Sequence, residues 1–111
     1  MVTMRYATRA DWGFWSQLDR HLTKKVFLEK CRQQTAFVLW ADGIDVGVLR
    51  YNLFWDQTPF LNLIYLAEEY RSIGLGRQAL VSWEEKMIEL GHQSVMASTQ
   101  ADETAQHFIE N

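Results

Sequence analysis

Arg71-Ser72-Ile73-Gly74-Leu75-Gly76-Arg77 carries most of what this chain says about its own architecture. An apolar run from Phe60 to Leu66 leads into it through a polar loop, Glu68 to Ile73. Beyond it, Leu75, Ala79, Leu80, Trp83, Met87 and Leu90 recur at helical spacing, and Gly91 is a natural stop. Strand, loop, Gly-x-Gly and helix in that order have an electrostatic use. The first amides of a helix lack an intrahelical acceptor, and the helix dipole adds partial positive charge there. Glycines let the backbone approach a bulky anion and accept positive φ. Arg71 and Arg77 flank the turn and can add charge-assisted hydrogen bonds to phosphate oxygens. The plainer alternative is a glycine-rich helix start with two solvated arginines.

Working outward, the elements on either side can be placed. Val2 to Ala7 is a strand candidate, and Thr8-Arg9-Ala10-Asp11 resembles a capping box with Asp in place of Glu or Gln. The helix that follows aligns Trp12, Trp15, Leu18 and Leu22 along one side. Thr23 caps a second helix through about Gln33, with Val26, Phe27, Cys31 and the stem of Lys30 facing inward. Thr35 to Ala41 is β-branched and aromatic, Asp42-Gly43 is a tight hairpin signal, and Ile44 to Trp55 is a longer strand. Gly47 within it marks a bulge or a close backbone approach. Asp56 to Pro59 reads as a turn, and Phe60 to Leu66 completes an antiparallel meander. Downstream of the glycine turn and its helix, Ser94 to Ser98 fits a strand and Ala101 to Asn111 a final helix. The order β-α-α-β-β-β-α-β-α predicts an α/β fold, a mixed sheet with a strand-loop-helix-strand crossover at its centre.

Bulk properties narrow the class. The 111 residues, 48% hydrophobic and 23% charged, describe one ordinary globular domain spanning residues 1–111. A net charge of -3 without any Lys/Arg stripe argues against nucleic acid and against a polybasic membrane anchor. The N-terminus lacks the apolar core of a signal peptide, and no apolar run is long enough to span a bilayer. Cys31 is the only cysteine, so no internal disulfide can form, which suits a reducing cytoplasm. It reads as a small buried hydrophobe rather than a reactive thiol.

The glycine turn lacks the Gly-Lys-Ser/Thr ending of a P-loop and the third glycine of the dinucleotide fingerprint. It resembles instead the Gln/Arg-x-x-Gly-x-Gly/Ala signature of the GNAT superfamily of acyl-CoA-dependent N-acetyltransferases, met by Arg71, Gly74 and Gly76. The lead-in Glu69-Tyr70-Arg71 and the order of elements match as well, over essentially the whole chain. The resemblance implies a mixed, mostly antiparallel sheet flanked by helices. It implies acetyl-CoA as co-substrate, with the pyrophosphate on Arg71, Ser72, Ile73, Gly74, Leu75, Gly76 and Arg77. The pantetheine arm would pair, like an added strand, with Ile64, Tyr65 and Leu66. The acceptor amine, of a small molecule or peptide, would then attack the thioester directly in a ternary complex. A backbone amide near Tyr65 would be the oxyanion donor.

For the acid and base, Asn62 and Tyr65 stand on the strand by the cofactor gap, and Ser98 and Thr99 end the opposing one. A water chain is the alternative. Glu68, Glu69, His21 and His92 read as surface residues. The last helix resembles a second family element. Aligned on Ala105 and Phe108, it places Asp102 at the position of the usual Asn and Ile109 where a thiolate-protonating tyrosine normally stands. Isoleucine cannot donate a proton. A solvated His107 is a weak substitute. The family pattern also continues into two further C-terminal strands, so the resemblance implies a shortened domain whose last strand has an open edge. That edge predicts a homodimer. Trp12, Trp15, Tyr51, Trp55 and Asp56 are candidates to line the acceptor site, although core packing also accounts for the tryptophans. Besides the transferase, a catalytically impaired acyl-CoA-binding module and a nucleotide-binding regulatory domain stay in view.

Overall fold

The meander between Thr35 and Leu66 is the spine of the structure, a computed structural model that describes residues 1–71 and 73–97. Three antiparallel strands form it: β2 (Ala36–Ala41), β3 (Ile44–Phe54) and β4 (Thr58–Leu66). Asp42 (φ 51°) and Gly43 (φ 80°) are both left-handed, as a tight primed hairpin turn requires. β1 (Thr3–Tyr6) adds antiparallel to β2, and β5 (Met96–Ala97) adds parallel to β4, giving the order β1-β2-β3-β4-β5. The sheet is thus mixed and mostly antiparallel. The crossover from β4 to β5 closes one end of the described sheet rather than occupying its centre.

Helices cover both faces. α3 (Leu75–Glu89) packs Leu75, Ala79, Leu80, Trp83 and Met87 against Phe37, Leu39, Leu49, Tyr51, Leu61, Ile64 and Leu66. Its end is a Schellman motif: Gly91 (φ 96°) donates to Ile88 O, and His92 donates to Met87 O. On the opposite face, α1 (Trp12–Leu18) and α2 (Lys24–Gln33) bury Trp15 and Phe27 over Ala36, Val38 and Val48. The capping box forms, with Asp11 Oδ2 accepting the Thr8 N–H at 2.8 Å, but it opens a single 3-10 turn, Arg9–Asp11, that leads into α1. Thr23 caps α2 through the N–H of Val26.

Some boundaries differ from the sequence expectation. Val26 is 44% exposed, because Phe27 takes the single inward position on that turn of α2. The β3–β4 reversal occupies Trp55 to Gln57, with Trp55 (φ 54°) and Asp56 (φ 61°) both left-handed. Thr58 and Pro59 therefore belong to β4, where the proline sits near the strand start, the place a missing N–H is tolerated. The expected helix from Ala101 to Asn111, with Asp102, lies outside the described residues.

Two irregularities shape β4. Arg50 pairs with Leu63 but Tyr51 pairs with Leu61, so Asn62 is an extra residue, a β-bulge. The bulge resets the side-chain alternation. Leu61 and Ile64, three apart, both face α3, while Leu63 and Tyr65 face α1 and α2. Farther along, a Cβ on Gly47 would lie 2.7 Å from Tyr65 O and 2.8 Å from Leu66 Cδ2. Only glycine permits that approach of β3 to the end of β4.

Candidate functional site

α3 begins at Gly74, whose φ of 85° is left-handed and whose missing side chain leaves the helix start uncapped. The first turn closes with Gln78 N–H on Gly74 O, so the amides before it, those of Leu75 and Gly76 among them, lack a helical acceptor. Leu75 and Gly76 are buried, whereas Ile73 (62% exposed), Gly74 and Arg77 face outward. The donor set, an uncapped positive helix end beside two arginines, suits a pyrophosphate. Ser72 lies outside the described residues.

The register of β4 shows which backbone groups are available next to that turn. Ala67 N–H donates to Val46 O at 2.8 Å, which makes Leu66 and Gly47 a pair whose own N–H and C=O groups turn away from each other. By alternation, the backbone polar groups of Ile64 and Leu66 point away from β3, and those of Tyr65 point toward Val48. Two of the three sequence candidates thus face the β5 side of β4. The described pairing of β5 covers Phe60 and Leu61.

Arg71 folds back onto this strand end. Its Nε donates to Leu66 O at 3.0 Å, and its guanidinium lies 4.4 Å from the centre of the Tyr65 ring. The side chain of Tyr65 is half-buried on the α1/α2 face, under that cation. Asn62 is half-buried at the bulge.

The sequence matches the family model of the acetyltransferase (GNAT) family over residues 3–111. The chain belongs to the GNAT family. Solved structures share its fold at low identity. Ard1 from Thermoplasma volcanium is 18% identical, with a TM-score of 0.78 over 98% of this chain and 80% of that one. PaiA N-acetyltransferase from Thermoplasma acidophilum, in complex with coenzyme A, is 14% identical, with a TM-score of 0.71 over 100% and 88%. N-acetylglutamate synthase from Neisseria gonorrhoeae, complexed with coenzyme A and N-acetyl-glutamate, is 16% identical with a TM-score of 0.78. This chain matches that structure over 99% of its own length and spans 27% of the synthase. No curated protein sequence matches the chain.

Within this GNAT domain the five acceptor candidates are not brought together. Trp15 is fully buried against Phe27, and Trp12 packs against the same ring, tilted, at 5.3 Å. Tyr51 is buried on the other face, against Phe37 and Trp83. Trp55 (82% exposed) and Asp56 stand on the β3–β4 turn. The split follows from the two faces of the sheet, since α1 packs over Val38 and Val48 whereas Tyr51 points toward α3. Glu68, Glu69 and His21 are exposed, as expected, while His92 is half-buried behind the end of α3. Cys31 is half-buried, and burial pushes its thiol pKa up, the direction of an unreactive packed cysteine.

A polar cluster on the α1/α2 face was not singled out from sequence. Asp19, the C-cap of α1, is 2% exposed; its Oδ2 accepts from Trp15 Nε1 at 3.1 Å and from Arg50 Nε at 2.6 Å. Lys30 of α2 reaches across to donate to Tyr51 O at 2.8 Å. Burial, then the nearby Arg50 cation, lowers the Lys30 pKa, with Asp19 opposing. The signal was Arg50 itself, the one charge between Val46 and Tyr51 in an otherwise apolar run.

Proposed function

We propose that this chain is one GNAT domain that transfers an acetyl group from acetyl-CoA to a primary amine of a small molecule or peptide, by direct attack in a ternary complex. The observation that carries the reading is the uncapped start of α3 at left-handed Gly74, set beside the outward backbone of Ile64 and Leu66. Arg71, Ser72, Ile73, Gly74, Leu75, Gly76 and Arg77 hold the pyrophosphate. Ile64 and Leu66 pair with the pantetheine amides, and Tyr65 contributes its ring rather than its backbone. Acetyl-CoA supplies the activated thioester.

One backbone amide beside Tyr65, the outward N–H of Ile64 or of Leu66, is the oxyanion donor, because the Tyr65 N–H is turned to β3. Arg71 holds the Leu66 carbonyl and neutralises charge by the phosphate turn. Asn62, freed from the ladder by the bulge, and Tyr65 orient the amine or its proton. Asp102 completes the cofactor set. The domain works in the cytoplasm as a homodimer, built on the edge of β5, which ends the sheet among the described residues.

Calorimetry with acetyl-CoA and with ATP, followed by thiol release with a panel of amines, tests this. Acetyl-CoA binding with amine-dependent thiol release is the expected result. Preference for ATP would overturn it. Ile109, at the position of the family's tyrosine, favours the second reading of an acyl-CoA-binding module; binding without turnover would select that one.

A further inference from the structure

Two half-buried cations stand on the α1/α2 face with one carboxylate between them. Arg50 (side chain 17% exposed) gives its Nε to Asp19 (side chain 1% exposed), and among the described residues its two Nη groups have no acceptor. Lys30 spends its ammonium on a neutral carbonyl, Tyr51 O. Asp19 Oδ1 is buried without a partner among the described residues, so the carboxylate engages the guanidinium through Oδ2 alone and leaves its second edge unused. The cluster therefore carries an excess positive charge in a partly desolvated place, where an unpaired cation is costly.

Its position matters as much as its charge. Arg50 is the cross-strand partner of Leu63, the residue next to the Asn62 bulge, and such partners share a face. By fixing Nε, the buried Asp19 turns the Nη edge away from itself, and that edge is a fork of parallel donors matched to a carboxylate.

The geometry points to Arg50 as the anchor for a carboxylate carried by the acceptor, which makes the acceptor class amino acids or short peptides with a free carboxylate near the amine. That the anchored molecule is an acceptor rests on the acetyl-transfer reading; that the fork takes a carboxylate does not. Lys30 adds long-range attraction and Asp19 is a positioning residue.

Two measurements separate these statements. The first follows the Arg50 Nε–H resonance, assigned by its loss in Arg50→Lys, during titration with N-acetylglycine and with N-acetylglycinamide. The acid should shift it saturably and the amide should not; equal response, or none, would overturn the anchor whether or not the protein turns over. The second compares thiol release from acetyl-CoA with amino acids and with their carboxamides. The acids should be favoured by roughly 10- to 100-fold in kcat/KM, the scale of a hydrogen bond to a charged group. In Asp19→Asn/Arg50→Gln, which removes the ion pair as a whole and leaves the hydrogen bond of Lys30 to Tyr51 O in place, that ratio should fall toward one. A wild-type ratio near one would refute the specificity. A shifted Arg50 resonance with no thiol release from any amine would keep the anchor and defeat the acetyl-transfer reading instead.

Discussion

Replacing Gly47 by alanine tests the meeting of β3 with the end of β4. The added Cβ would lie 2.7 Å from Tyr65 O, 2.8 Å from Leu66 Cδ2 and 3.1 Å from Leu66 Cα. The leucine methyl can turn aside, but the other two atoms are backbone. Reaching ordinary contact at 3.4 Å requires the strands to part by about 0.7 Å at that point. Overpacking of this kind costs roughly 1–3 kcal/mol. Alanine recovers about 0.4–1 kcal/mol by restricting the unfolded chain. The net loss is then about 1–2 kcal/mol, or a fall in Tm of roughly 4–8 °C for a domain of this size. Urea unfolding followed by circular dichroism reads the stability, and calorimetry reads acetyl-CoA affinity. Both should fall, because the displaced backbone includes the outward groups of Leu66. An unchanged urea midpoint at unchanged slope would mean that the strands do not approach as described, and the assignment of outward groups would fall with it.

Other expectations follow from single features. Gly74 has open space around it, so alanine there costs only backbone strain, about 1–2 kcal/mol; calorimetry should rank acetyl-CoA affinity as glycine, then asparagine, then alanine. Asp19→Ala leaves Arg50 half-buried and unpaired and should cost roughly 3–5 kcal/mol, against about 1 kcal/mol for Trp15→Phe, which removes one neutral donor; chemical denaturation of the two variants checks the ordering. The Arg5 guanidinium first, then the Thr8 N–H, holds the Asp11 carboxyl below its usual 3.8, with burial opposing. That stabilisation is complete above the unfolded value and is lost as pH falls through the lower folded one; with Arg5 largely exposed it amounts to under about 1 kcal/mol. Urea midpoints measured across the acid range should decline less steeply in Asp11→Asn than in the wild type.

The sequence made α3 and its glycine start legible because two independent signals, helical spacing and Gly-x-Gly, coincide there. The hairpin at Asp42-Gly43 was legible for the same reason: left-handed turn chemistry lies between two β-rich runs. The bulge at Asn62 was not seen, yet its trace is present, since Leu61 and Ile64 break the two-residue period by one. The cluster around Asp19 was hidden for a different reason. A carboxylate after Leu18 looks solvated in sequence, and only the distant Arg50 and the indole of Trp15 make its burial tolerable. The aromatic acceptor candidates pool a helical stripe with strand and turn residues: α1 packs Trp15 on one face of the sheet, while Tyr51 points to the other, so core packing accounts for both.

The order of strands also bears on how the domain assembles. β2, β3 and β4 are joined by short turns and can pair locally, whereas β1 must close over the whole of α1 and α2 to reach β2. β5 must wait for the crossover through α3. Local hairpins close quickly and long loops slowly, so the meander is the natural nucleus and the docking of α3 a late event. The glycine turn at Gly74 belongs to that late piece. Transient opening in the native state should then release α3 and β5 before the meander, and amides there should exchange with solvent through the lower-energy route. A ligand held at the start of α3 would slow that exchange selectively, so cofactor binding would act as the last step of folding.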